Sequence, residues 1–212
     1  MSGTRVEHAP ADATLVLAVG ETSIRFERVA LAFSGTDLTN IFAGKNNKSV
    51  QQTLCHRRYS ALVPTIVGKH DNWLQAPLGE FLAFLKGNGD PLYLRFLNSH
   101  GDKSYCRFRL ADAVWRKKRG LYCFTGIGSL KYIGKSVDSF GKRVDQGYGQ
   151  IHPKNCYRDG QSTNCHLNAL IEQLARDVSF FAASLDDTAA IDRLELALIA
   201  KYRPPWNVQL GA

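Results

Sequence analysis

The stretch from Gly120 to Lys135 constrains the chain more than any other. Gly120-Leu121-Tyr122-Cys123-Phe124-Thr125 is a short run of strand formers. Gly126-Ile127-Gly128-Ser129 is a turn, and Lys131-Tyr132-Ile133-Gly134-Lys135 is the returning strand. Two such runs about a glycine-bearing turn read as a β-hairpin. Tyr122 and Tyr132 then stand on neighbouring strands, where their hydroxyls converge. A helix is expected from about Asp138 through Arg143, with Arg143 facing the two phenols.

Further elements follow. Asn164 is placed as an N-cap, ahead of Leu167, Leu170, Ile171, Leu174 and Val178 at helical spacing. Val178 to Ala182 reads as a third strand. Asp186, Asp187 or Thr188 caps a helix carrying Ile191, Leu194, Leu198 and Ile199, with Glu195 beside that apolar stripe. Pro204 stops this helix, and Asn207 lies twelve residues past Glu195.

In this order the residues resemble the GIY-YIG nuclease superfamily, most closely its type II restriction endonucleases. The name motif stands as Gly120-Leu121-Tyr122 and Tyr132-Ile133-Gly134, with nine residues between the tyrosines. Leu121 replaces the family's middle Ile, which is harmless in a strand. The family's arginine matches Arg143, its metal-binding glutamate Glu195, its late asparagine Asn207, and the lysine after the second motif Lys135. The likeness spans about residues 119–209. Many members place a Tyr or His four residues after the arginine. Here that position is Gly147, and Tyr148 is the neighbour that takes the role if the helix end is shifted. The stretch from Tyr148 to Asn168 is similar to an insertion of the restriction enzymes. Its amides, with Lys154 and Arg158, suit base edges or phosphates.

The resemblance implies a division of labour for phosphodiester hydrolysis. Glu195 holds one Mg²⁺, with Mn²⁺ as a substitute, and Arg143 grips the scissile phosphate with its planar fork. Tyr122 positions or deprotonates the water, helped by the nearby charge of Lys135, since a free phenol has a pKa of ~10. Tyr132 bonds the phosphate or the water, and Asn207 buttresses the site.

The remaining sequence frames this reading. The 212 residues carry 27 Lys plus Arg against 19 Asp plus Glu, a net +8 and a pI near 9.3. That favours a polyanionic partner, most commonly nucleic acid. The cation run Trp115-Arg116-Lys117-Lys118-Arg119-Gly120 reads as a solvated connector and a phosphate contact through Lys117 and Lys118. It sets an expected boundary near residue 115. The expected fold is α+β: a nuclease domain, 116–212, with a three-stranded antiparallel sheet flanked by helices, preceded by a mixed α/β recognition domain, 1–115.

In the first part, Thr14 to Val19 reads as a strand and Leu78 to Leu85 as a helix. Asp37 to Phe42 and Ser49 to Tyr59 read as two helices, either a helix-turn-helix or an amphipathic pair. A hairpin is expected from Leu92–Leu97 to Ser104–Leu110. Its second strand turns Tyr105, Arg107 and Arg109 to one face, which suits nucleic acid and a solvated sheet face equally. Five cysteines and no export-signal layout predict free thiols in the cytoplasm. A zinc set from His152, Cys156, Cys165 and His166 is the weaker alternative. No apolar run reaches the ~18 residues of a membrane helix.

The expected activity is Mg²⁺-dependent cleavage of double-stranded DNA by a restriction or defence enzyme. The alternatives are a repair or homing endonuclease and a non-catalytic DNA-binding protein. A single site of this kind cuts one strand, so a homodimer on DNA is expected.

Overall fold

A computed structural model describes residues 14–174 and 177–207, so the last residues of the family-like stretch, 208–209, lie outside it. Seven strands and six α-helices follow one another along these residues. They are β1 (Thr14–Val19), β2 (Thr22–Val29), β3 (Leu31–Leu38), α1 (Val50–Leu54), α2 (Val63–Ile66), α3 (Leu78–Gly87), β4 (Tyr105–Leu110), α4 (Ala113–Lys117), β5 (Gly120–Gly126), β6 (Ser129–Ser136), α5 (Ser162–Leu174), β7 (Val178–Ser184) and α6 (Thr188–Tyr202). The protein is thus a mixed α+β chain built on an antiparallel sheet.

The chain forms two compact units that interleave in sequence. Among the described residues, one gathers 14–32, 109–145 and 177–207, and the other 33–108 and 146–174. The boundary expected near residue 115 lies inside the segment 109–145 of the first unit. Strands β1 and β2 join that unit from the far end of the sequence, through contacts that no local pattern announces.

The first unit is a five-stranded antiparallel sheet in the order β1-β2-β7-β5-β6. Strand alternation gives it two faces. On one, Leu17, Ile24, Phe26, Leu121, Cys123, Ile133, Phe181 and Ala183 bury against Ile191 and Leu198 of α6. Asp187 caps that helix, its Oδ1 accepting from the Ala189 amide. The other face carries an aromatic cluster of Tyr122, Phe124, Tyr132, Phe140 and Phe180. The β5–β6 hairpin turns on Ile127 and Gly128, both left-handed, as a two-residue hairpin requires.

The cation run is only partly solvated. Trp115 is buried, and Arg116 donates to the Leu110 carbonyl and pairs with Asp145 at 3.2 Å. Arg119 donates to the Asp186 carbonyl, and Lys118 lies over the Trp115 ring at 4.0 Å. Of the two proposed phosphate contacts Lys117 is exposed and Lys118 is partly buried.

The second unit has its own core, in which Val50, Leu54, Phe81, Leu82, Leu85, Phe96 and Tyr157 pack together. Several local expectations change here. Asp37 to Phe42 is the end of β3 followed by a short 3-10 turn at Ile41–Gly44. Ser49 and Gln52 form a capping box, but α1 has only five residues, too short for a recognition helix. Leu92 to Leu97 is mostly a 3-10 helix, Pro91–Phe96, started by Asp90 accepting from the Leu92 amide. The expected hairpin is therefore absent, and β4 pairs with β3 instead. Asn164 sits inside α5, buried, rather than at its cap.

All five cysteines are free, and only Cys55 is exposed. Burial pushes the Cys106 thiol up to about 12 and raises Cys123 further. One thiol of the five should therefore react with an alkylating reagent in the native protein and all five after unfolding. A second native thiol reacting at the same rate would show that the cores open. No helix of the described residues is long and apolar enough to cross a membrane.

Candidate active site

The motif residues gather on β5 and β6. Tyr122 is paired with Gly134 across the strands. A Cβ on Gly134 would lie 2.5 Å from the Tyr122 Cζ and hydroxyl and 2.7 Å from the Tyr132 ring. Glycine is thus what lets the Tyr122 ring lie across the edge strand. The two tyrosine rings stack at 6.1 Å. Gly120 adopts φ +138, and a Cβ there would meet the Ala183 carbonyl oxygen at 2.1 Å. Both motif glycines therefore have a steric reason to be glycine.

Arg143 reaches this face from Gly141–Tyr148, a helical segment with wide π-type turns that begins three residues later than expected. Such turns recur at functional sites because they re-aim a side chain. The Arg143 Nε donates to the Tyr122 hydroxyl at 3.5 Å. Tyr122 is fully buried and Tyr132 is 8% exposed. Tyr122 is therefore placed to orient the guanidinium rather than to meet solvent.

Asn207 braces the second motif strand. Its Oδ1 accepts from the Ile133 amide at 3.0 Å and its Nδ2 donates to the Ile133 carbonyl at 2.8 Å. The Trp206 amide adds a bond to the Lys131 carbonyl. Together they cover the outer backbone edge of β6, whose groups would otherwise pair with another strand.

Lys135 departs from its expected place. Alternation puts it on the α6 face, opposite Tyr122 and Tyr132. There its ammonium pairs with Glu195 at 2.9 Å and Asp192 at 3.1 Å. The hydrogen bond to Glu195 chiefly, against partial burial, raises its pKa above the ordinary lysine value. Lys135 is thus a cation tied to carboxylates. The cation beside the Tyr122 hydroxyl is Arg143. Asp192 was not singled out from sequence. Its signal is the three-residue spacing to Glu195, which sets both acids on one side of a helix. Tyr122 with Arg143 and Lys135 with Glu195 flank the Gly134–Lys135 step of the edge strand from opposite faces.

Two converging carboxylates suit a hard divalent cation that takes oxygen ligands. Among the described residues no group of three or more His, Cys, Asp or Glu is arranged to hold a metal. Glu195 and Asp192 converge on the Lys135 ammonium, which a divalent cation would have to displace to take their oxygens. The zinc alternative has no such group either. His152 Nδ1 accepts from the Lys154 amide, and the Cys156 and Cys165 sulfurs lie 3.9 Å apart in the buried interior.

The remaining candidates lie elsewhere. Tyr148 belongs to the second unit, is fully buried, and accepts at its carbonyl from Asn168. Arg107 and Arg109 are exposed on β4 as alternation predicts. Tyr105 is not on their face: it is buried, its hydroxyl donating to the His100 carbonyl. Lys154 and Arg158 are exposed, and Arg158 Nη1 donates to the Arg95 carbonyl.

Beneath Lys154 lies a network that sequence reasoning missed. Asp159 Oδ1 accepts from the Tyr59 hydroxyl at 2.6 Å and pairs with the buried Lys45, whose ammonium lies over the Tyr157 ring. Burial raises the Asp159 pKa, but the Tyr59 hydrogen bond and the Lys45 charge outweigh it and hold the carboxyl below its ordinary value.

No protein-family model, curated protein or solved structure matches the chain.

Proposed function

We propose that the protein is a Mg²⁺-dependent endonuclease of the GIY-YIG type that hydrolyses phosphodiester bonds of double-stranded DNA, a restriction or defence enzyme. The observation that carries the reading is the Tyr122–Arg143 contact laid over Gly134. In this reading β5, β6 and β7 would correspond to the family's three-stranded sheet, within a five-stranded sheet that also includes β1 and β2. Glu195 would hold the Mg²⁺, which when bound would supply charge relief and lower the pKa of a water. The chain's own residues do the rest. Arg143, oriented by Tyr122, neutralises the equatorial oxygens of the reacting phosphate. Tyr132, the less buried phenol, touches the water or the phosphate. Asn207 keeps the strand that carries Tyr132 in place. Arg143 and Glu195 stand on opposite faces of β6, so one phosphate could meet both only round the outer edge of that strand.

The second unit, with Arg107, Lys154 and Arg158 on its surface, serves recognition. One such site per chain cuts one strand, so two copies act on a duplex.

The test is cleavage of supercoiled plasmid in Mg²⁺ by wild type and Glu195→Ala. The wild type is expected to nick and linearise the plasmid. The variant should bind DNA and stay folded, since Lys135 keeps its pairing with Asp192 at 3.1 Å, yet leave the plasmid intact. Wild-type binding without any nicking in Mg²⁺ or Mn²⁺ would identify a DNA-binding protein instead. Cleavage by Glu195→Ala at the wild-type rate would remove Glu195 from the site.

A further inference from the structure

Three arginines of the second unit share one local pattern. Arg58 stands beside Tyr59, Arg95 beside Phe96 and Arg158 beside Tyr157; each aromatic ring is buried and each arginine is exposed. The rings belong to one core, in which Tyr59 stacks on Phe96 at 5.7 Å. Burying the aromatic fixes the backbone of its neighbour, so three segments distant in sequence bring their arginines together. Arg58 Nη1 donates to the Arg158 carbonyl, and Arg158 Nη1 donates to the Arg95 carbonyl at 3.4 Å. The Arg158 amide also donates to the Phe96 carbonyl at 3.1 Å, and Arg95 Nη1 donates to Thr65 Oγ1 at 3.5 Å.

Each guanidinium thus leans on a neutral oxygen. Among the described residues none of the three pairs with an acid. Asp159, next to Arg158 in sequence, turns its charge inward to Lys45 and the Tyr59 hydroxyl. A guanidinium carries five N–H donors, so each arginine keeps most of its donors and its whole charge. Lys48 and Lys154 add to the field. Burial chiefly, and then their two charges, hold the Lys45 pKa below the ordinary lysine value against the pull of Asp159. Exposed guanidinium forks without a counter-charge match the paired oxygens of a phosphate. A phosphate backbone lies on the outside of a duplex, so no base edge has to be reached.

We propose that Arg58, Arg95 and Arg158 form a clamp for the phosphate backbone of duplex DNA and grip it without regard to base sequence. The inference rests on the nuclease reading above and says where the second unit takes hold of that enzyme's substrate. The bonds to Thr65 and to the two carbonyls hold the side chains in place before DNA arrives, which lowers the ordering cost of binding. Counterions released from the neutralised phosphates supply the driving force.

The experiment measures binding of the full-length protein to duplexes of unrelated sequence across about 50–200 mM salt, without divalent metal so that no strand is cut. Arg58→Gln, Arg95→Gln and Arg158→Gln should each weaken binding alike on every sequence. Each should lower the slope of log K against log salt by about 0.9, and the triple variant by about 2.7. Glutamine keeps an N–H for the neighbouring oxygen, and melting transitions check folding. Arg58→Lys keeps the charge and should keep the slope, which a merely structural role would not predict. Bound duplex should also slow alkylation of Cys55, the exposed thiol three residues before Arg58. An unchanged slope in the triple variant, or Cys55 alkylation indifferent to bound duplex, would overturn the clamp and leave the nuclease reading standing. Weakening confined to particular sequences would mean base reading and overturn it too. A poly-glutamate peptide bound as tightly as the duplex would assign the arginines to an acidic protein instead. No duplex binding by wild type would sink the clamp and the nuclease reading together.

Discussion

Replacing Arg143 with alanine is expected to slow DNA cleavage by ~10²–10³-fold, the cost of removing one preorganised charge from a developing phosphorane, ~3–4 kcal/mol. The effect belongs to the chemical step, so duplex binding should change far less than kcat. Arg143→Lys should recover little, because an ammonium keeps the charge and loses the planar fork. The buried Tyr122 hydroxyl, bonded to Nε, sharpens the expectation. If Tyr122 acts by orienting Arg143, then Tyr122→Phe should cost activity in the wild-type background and almost nothing in the Arg143→Ala background. Such non-additivity is the signature of two residues acting as one unit. Multiplying losses would instead make Tyr122 an independent participant, contacting water or phosphate itself. A single-variant loss under tenfold would place Arg143 outside the chemistry.

The hairpin and its neighbours were legible because their information is local. Strand formers around a Gly-Ile-Gly turn give β5 and β6, Asp187 marks the start of α6, and Pro204 its end. What was not legible depends on partners distant in sequence. Tyr105 alternates with Arg107 and Arg109, and period two alone sends it outward. It is buried because the turn before it offers the His100 carbonyl to its hydroxyl. Lys135 sits next to Gly134 in sequence, yet the pleat sends it to the face where Asp192 and Glu195 wait. Arg116 and Arg119 look like linker residues until Asp145 and Asp186 arrive from later in the chain. The segment Thr22–Val29 was readable and overlooked: Ile24, Phe26 and Val29 bury while Ser23, Arg25 and Glu27 face out. Pro91 after Asp90 likewise outweighs the apolar content of Leu92–Leu97, because Asp-Pro starts a helical turn where a ladder needs free amides.

The largest stability loss is expected from Gly120→Ala. A Cβ there would stand 2.1 Å from the Ala183 carbonyl oxygen and 2.8 Å from the Leu185 amide nitrogen. Both are backbone atoms of or just beyond β7, which pairs with β5 along its whole length, so neither can swing aside as a side chain would. The residue also holds φ +138, which alanine adopts only with strain. Collision and strain together should cost roughly 4 kcal/mol or more, since separating the strands breaks the ladder at the start of β5. For a chain of this size that lowers the melting temperature by roughly 8–16 °C. Gly20→Ala is the control. Gly20 has φ +58 and open space where its Cβ would go, so that variant pays backbone strain alone, about 1–2 kcal/mol. Thermal unfolding of the two variants beside wild type measures both terms. Equal small shifts would mean that β7 yields at Ala183, and that the first glycine of the motif is required by backbone conformation alone.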